Sequence, residues 1–204
     1  MEKEAFVTIA SDNWEEIEKI KGSRFIGRLY KVNNREQAER KLDEVRKEYY
    51  DATHNCFAYS AGLNEQNITR SSDDGEPSGT AGRPIMTVLE SSGLKNVLLV
   101  VTRYYGGTNL GTGGLIKAYT EAAKAVIEAA VIEEVEIKTD VKFSYPYDMT
   151  SLAMSIMRKY SAVTVSEDYN KGATVVISLN KGYAAHFFKE IFERSNGVIE
   201  VESC

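Results

Sequence analysis

The stretch NVLLVVTRYYGGTNLGTGGLIKAYTEAAKAVIEAA, residues 96–130, carries most of the information on how this chain folds. Its aliphatic run VLLVV, residues 97–101, reads as an apolar, buried strand. Five glycines follow within the twelve residues 103–114, and the chain then enters a helix placed at residues 114–130. Leu115, Ala118, Tyr119, Ala122 and Val126 share one stripe of that helix, and its six alanines let it lie close against a sheet. Glycine loses more conformational freedom on folding than any other residue. So many in one turn therefore point to tight geometry, close backbone approach, or a ligand cradled by bare N–H groups.

Immediately upstream, DDGEPSGTAGRP at 73–84 is a second glycine-punctuated loop with three acids in its first four residues. Pro84 suits the first residue of a short helix, PIMTVLESS, that stops at Gly93. Further back, residues 34–50 place Ala38, Leu42, Val45 and Tyr49 on one helical face, with Asn33 and Glu36 in capping-box spacing. FVTIA, SRFIGRLYKV and HNCFAYSAG read as strands. Beyond residues 133–138 the pattern restarts: a strand in VEIKTDVKFSYP, a helix in DMTSLAMSIMRKYS, strands VTVSEDY and ATVVISLN joined through Asn170, Lys171 and Gly172, a helix in YAAHFFKEIFERSNG, and a strand in VIEVES. That order, βαββαβ, is the ferredoxin-like split unit. The expectation is an α+β chain of two domains, residues 1–135 and 136–204.

With 204 residues and 43% hydrophobic content the chain can bury a core in each domain. Its N-terminus has no apolar targeting core and no apolar run approaches the length of a bilayer span, so no membrane association is expected. Two cysteines without CxxC spacing, Cys56 and Cys204, read as reduced thiols of a cytoplasmic protein. A net charge of -5 argues against a generally basic, sequence-specific DNA binder. One local exception stands out. Between Glu90 and Glu121 there is no acid, while Lys95, Arg103 and Lys117 are basic, so the glycine-rich loop lies in a long cationic window.

That loop, leading into a helix N-terminus, has the ingredients of an anion site: free N–H groups, the positive end of a helix, and nearby cations. It matches neither GxxxxGK[ST] nor GxGxxG, since Ile116 stands where the last glycine would fall. Asp73, Asp74 and Glu76 could chelate a hard cation. Yet Pro77 stiffens their loop and an EF-hand's distal glutamate is missing, so solvation, or pairing with Arg103 or Lys117, is the favoured reading and no metal or cofactor is assigned. Ser71, Ser72, Ser78, Thr80, Thr108 and Thr112 supply hydroxyls without a GxSxG elbow. His54 and Cys56 share one face of a strand, as a thiolate pair or as packed core groups. Tyr104, Tyr105 and Tyr119 stand near the loop, as stacking platforms or as wall packing.

DDGEPSGTAGRP followed by NVLLVVTRYYGGTNLGTGGLIKAY, together with KGSRFIG and THNCFAYSAG, closely resembles the signature of the IMPACT family over roughly residues 15–130. The added C-terminal domain resembles the last domain of elongation factor G and makes the chain similar to the family's bacterial, YigZ-type two-domain branch. The resemblance implies an N-terminal fold shared with a small-subunit ribosomal protein domain, translocase domain IV, RNase PH and GHMP kinases, containing a left-handed βαβ crossover. Right-handed crossovers are the strong default, so periodicity alone would not predict it. Eukaryotic relatives regulate translation through an additional N-terminal RWD domain. This chain starts directly with the family domain, so that mechanism is not expected here.

The expected function is a non-enzymatic translation-associated regulator that binds RNA, the ribosome or a ribosome-associated protein. The alternative is an enzyme that binds a phosphate ester or nucleotide at the helix N-terminus near 114. The binding face is expected to comprise Asp73, Asp74, Glu76, Ser78 and Thr80 from one loop, with Arg103, Tyr104, Gly106, Gly107, Gly111, Gly113, Gly114 and Lys117 from the other.

Overall fold

The computed structural model describes residues 4–169 and 172–203. The chain divides into two compact units, one spanning Val7–Glu134 and the other combining Met1–Phe6 with Val135–Cys204. The first residues thus fall with the C-terminal unit, where sequence reading assigns them to the N-terminal domain. The cause is a local hydrogen-bond exchange: the Glu4 N–H donates to Asn180 Oδ1, while the Glu4 carbonyl accepts from Asn180 Nδ2 and from the Ile137 N–H.

Val7–Glu134 is built on a five-stranded, wholly antiparallel sheet of order β2-β3-β6-β4-β5. Its strands are β2 (Asn13–Glu16), β3 (Arg24–Lys31), β4 (His54–Ala61), β5 (Ile68–Ser72) and β6 (Val97–Tyr104). Helix α1 (Arg35–Glu48) covers one face; α2 (Gly82–Ser92) and α3 (Gly111–Glu128) cover the other. Central β6 explains the VLLVV run. Val97, Leu99 and Val101 pack toward α2 and α3, and Leu98 and Val100 toward α1, so neither face of the strand meets water. The alanine stripe of α3 closes on β3, where a Cβ at Gly27 would stand 2.7 Å from the Ala122 carbonyl oxygen. Only glycine permits that approach.

Four details differ from the sequence reading. Strands β2 and β5 escaped it because they are edge strands with mostly exposed side chains; their backbones are ordered by pairing with β3 and β4 rather than by a buried stripe. Ser71 and Ser72 are the last two residues of β5. Helix α1 is capped by Asn34, whose side chain accepts from the Gln37 N–H, while Gln37 Oε1 accepts from Asn33 N–H, one residue on from the anticipated Asn33–Glu36 box. Helix α2 starts at Gly82 with Pro84 third, a place where a missing N–H is still harmless. Helix α3 starts at Gly111, so Gly111, Gly113 and Gly114 form its first turn instead of the loop before it.

In the C-terminal unit, β8 (Lys138–Tyr145), α4 (Thr150–Lys159), β9 (Val163–Tyr169), β10 (Ala173–Asn180), α5 (Ala184–Arg194) and β11 (Glu200–Ser203) follow the anticipated βαββαβ order. They make an antiparallel sheet of order β11-β8-β10-β9. Phe143, Tyr145, Ile156, Val175, Ile177, Phe187 and Ile191 fill the core under the two helices. The Asn170 and Lys171 part of the β9–β10 connection, and Cys204, lie outside the described residues. Strands β1 (Ala5–Ile9) and β7 (Ile132–Glu136) pair as a two-stranded ladder. No helix among the described residues is long and apolar enough to cross a membrane.

Candidate functional site

The two glycine-punctuated segments meet at a cleft of about 510 Å³ in the Val7–Glu134 unit. Thr53, His54, Gly75, Glu76, Pro77, Arg103, Tyr105, Asn109, Leu110, Gly111, Thr112 and Leu115 line it. Strand alternation decides which side chains arrive. Arg103 and His54 are register partners on adjacent strands and face α3, whereas Tyr104 turns to the opposite side, where Arg24 covers its ring and its hydroxyl donates to Asp51. Tyr104 therefore does not line this cleft.

Beneath the cleft lies a buried polar cluster. Glu76 Oε1 accepts from Arg103 Nη1 at 2.6 Å and from the Tyr119 hydroxyl at 2.7 Å. Arg103 Nη2 donates to Ser23 Oγ at 3.3 Å, and its guanidinium lies 5.4 Å from the ring centroids of both Phe25 and Tyr105. Arg103 Nε is buried without a hydrogen-bond partner. His54 Nδ1 lies 2.8 Å from the Asp74 carbonyl oxygen, and since a carbonyl only accepts, that nitrogen carries a proton. Nε2 then faces Glu76 Oε1 at 3.8 Å. The Cys56 thiol donates to the Asp73 carbonyl at 3.0 Å, with Tyr119 Oη 3.4 Å from its sulfur. Burial pushes both the Cys56 thiol and the Tyr119 phenol far above their ordinary pKa, so neither ionises near neutrality.

The acidic loop turns its carboxylates inward. Asp73 Oδ1 accepts from the Ala81 and Gly82 N–H groups, and Oδ2 from Gly79, so this residue caps the start of α2 from eight and nine positions away. Its partial burial alone would raise the pKa; the three backbone donors outweigh that and hold it below the ordinary aspartate value. Asp74 Oδ2 accepts from the Asn55 N–H at 2.7 Å, with Arg46 3.4 Å from Oδ1. Among the described residues no group of three or more His, Cys, Asp and Glu side chains is arranged to hold a metal ion.

The remaining anticipated residues divide. Thr80 is buried, its hydroxyl donating to the Pro77 carbonyl, while Ser78 is exposed beyond the cleft lining. Gly106 is a packing residue: its N–H donates to Ser23 Oγ, and a Cβ there would fall 2.0 Å from the Gly22 carbonyl carbon. Gly107, at φ +86°, is exposed loop. Gly111 lines the cleft, and at Gly111 and Gly113 a Cβ would meet nothing within 4 Å. Lys117 is exposed on α3 and does not line the cleft. Leu110, the N-cap of α3, offers no side-chain acceptor to the helix N–H groups. Sequence reading had His54 in view as half of a thiolate pair with Cys56 or as a packed core group, and Tyr105 as a stacking platform or wall packing, and it missed Ser23 and Asn109. Ser23 is 80 positions from Arg103, a separation no local pattern spans.

This architecture, an antiparallel sheet with helices on both faces and two glycine-rich segments closing one cleft, defines a class of protein. Residues 21–127, more than half the chain, match the Impact N-terminal domain. An IMPACT family member of Haemophilus influenzae is 33% identical over 189 residues, covering 91% of this chain and 90% of the relative. The family members YvyE of Bacillus subtilis and YigZ of Escherichia coli are each 32% identical, covering 90% and 91% of this chain and 84% and 91% of their own lengths. A crystal structure described as a hypothetical protein is 30% identical, covers 98% of both chains, and superposes with a TM-score of 0.71. The chain belongs to the IMPACT family.

Proposed function

We propose that this chain is a non-enzymatic regulator associated with translation, and that its cleft takes a phosphate of structured or ribosomal RNA. One observation carries the reading: the N-terminus of the 18-residue helix α3 opens onto the cleft at Gly111 and Thr112 without a side-chain cap, and the space around the Gly111 Cα is open. Unpaired N–H groups and the positive end of a helix favour an anion there. The neighbouring groups favour binding over chemistry. Arg103 is engaged by Glu76, the Cys56 thiol stays protonated, and His54 is held by the Asp74 carbonyl. Membership of a family whose eukaryotic members regulate translation agrees with this role in a cytoplasmic setting. We further propose, on the same resemblance, that the N-terminal unit is kin to ribosomal-protein and translocase-domain-IV folds, with a left-handed βαβ crossover, and the C-terminal unit to the ferredoxin-like domain V of elongation factor G.

Thr112→Glu is the direct test. It sets a carboxylate on an exposed residue of the first turn of α3, which the helix end tolerates but which occupies the anion's place. Ribosome co-sedimentation and RNA-hairpin binding at low salt should be lost while the melting temperature holds. Lys117→Glu should weaken binding less, because Lys117 lies off the cleft. Few phosphates engaged means a shallow salt dependence, with a log–log slope of about -1 to -2. Wild-type protein that binds neither ribosomes nor RNA would sink the reading.

A second reading, an enzyme or binder acting on a phosphate ester or nucleotide, draws on the cleft's volume, which falls in the small-ligand range. Thermal stabilisation by a nucleotide but not by RNA would favour it; a ligand at a hundred times its Kd adds about 2.7 kcal/mol.

A further inference from the structure

Away from the cleft, α2 and α3 leave between them an open groove of about 760 Å³. Pro84 and Val88 of α2 and Ile116 and Ile127 of α3 form its apolar floor, with Ile116 43% exposed. The groove runs along α3 from Ile116 to Glu128, about 18 Å at 1.5 Å per residue, the length of three helical turns. Arg83 and Lys124 stand on its two walls, exposed, and neither makes an ion pair among the described residues. Glu128, at the C-terminal end, is the one carboxylate lining it among the described residues.

From this arrangement we infer that the α2–α3 groove docks an acidic amphipathic helix of a partner protein. An apolar floor of three-turn length fits one stripe of a helix at i, i+3, i+4 and i+7, and two unpaired cations on opposite walls select carboxylates flanking that stripe. A second copy of this chain is the weaker occupant. Its amphipathic helices α1, α4 and α5 already bury their apolar faces in their own cores, leaving no spare stripe to insert.

The test uses the full chain and two designed, fluorescein-labelled peptides of about 18 residues. Both carry leucine at i, i+3, i+4 and i+7; one is otherwise glutamate-rich, the other lysine-rich. The acidic peptide should bind in a roughly micromolar range by fluorescence anisotropy, and the lysine-rich peptide should not. Arg83→Glu/Lys124→Glu should weaken the acidic peptide at least about tenfold, and Ile116→Asp should do the same by removing floor. All three side chains are exposed, so the melting temperatures should match wild type. The inference is overturned if the acidic peptide fails to bind, if the lysine-rich peptide binds as well, or if charge reversal leaves affinity unchanged. It is equally overturned if sedimentation equilibrium shows a dimer that Ile116→Asp dissociates, since the groove then serves self-association. Thr112→Glu should not alter peptide binding, which separates this groove from the anion cleft.

Discussion

Arg103 Nη1 lies 2.6 Å from Glu76 Oε1, with side chains 6% and 3% exposed, so an ion pair sits in the core directly beneath the cleft. It joins the two glycine-punctuated segments. The strand leading into one supplies the cation, and the other supplies the anion. Tyr119 of α3 donates to the same carboxylate and ties the helix to both.

Breaking that pair from one side should be expensive, because the surviving charge stays buried. Glu76→Gln and Arg103→Met should each lower stability by about 3–5 kcal/mol, whereas the double variant should recover a substantial part of the loss. Urea denaturation of the four proteins decides it. Additive losses would show that the two groups do not depend on each other.

Asp73 should make the start of α2 pH-sensitive. Its folded pKa is depressed, so its stabilising contribution is present above its ordinary unfolded value and is lost as pH falls through the lowered folded value. Asp73→Asn should be less stable than wild type by about 1–2 kcal/mol at neutral pH, and the two should converge as pH drops from about 5 to 2. Melting temperature against pH reads this out. A constant gap down to the acid end would mean the carboxylate charge contributes nothing.

Gly106 and Gly113, seven residues apart, should respond oppositely to alanine. At Gly106 the added methyl lies on the backbone of Gly22, so Gly106→Ala should cost at least about 2 kcal/mol. At Gly113, inside α3 with open space around it, Gly113→Ala should gain a few tenths to about 1 kcal/mol. Thermal melts of both settle the contrast.

Cys56 should behave as an inert core thiol. Burial raises its pKa, and its S–H donates a hydrogen bond to the Asp73 carbonyl. In a Cys204→Ser background, reaction with a thiol reagent at neutral pH should be slow in the native state and rapid once denaturant is added. Fast labelling of the folded protein would show an activated thiolate instead.

Much of this protein was legible in residues 96–130. A strand buried on both faces must be apolar at every position, and a helix lying close to a sheet must carry small residues on one stripe; both leave marks within a few turns of chain. The βαββαβ order of the second half is legible for the same reason. Edge strands β2 and β5 carry no such mark, since backbone pairing alone places them.

What tertiary structure decided is who meets whom. Sequence showed an acidic loop beside a cationic window, and charge alone argued that they pair. It could not choose Arg103 over Lys117, or Glu76 over its two neighbouring aspartates. The choice follows from direction. Strand alternation aims Arg103 at α3 and Tyr104 away from it, Asp73 is drawn onto the N–H groups that begin α2, and Lys117 stays on the solvent side of its helix. Contacts such as Arg103 with Ser23, eighty residues apart, exist only once the sheet brings β3 beside β6, because hydrogen bonds depend on position in space and leave no periodic trace along the chain.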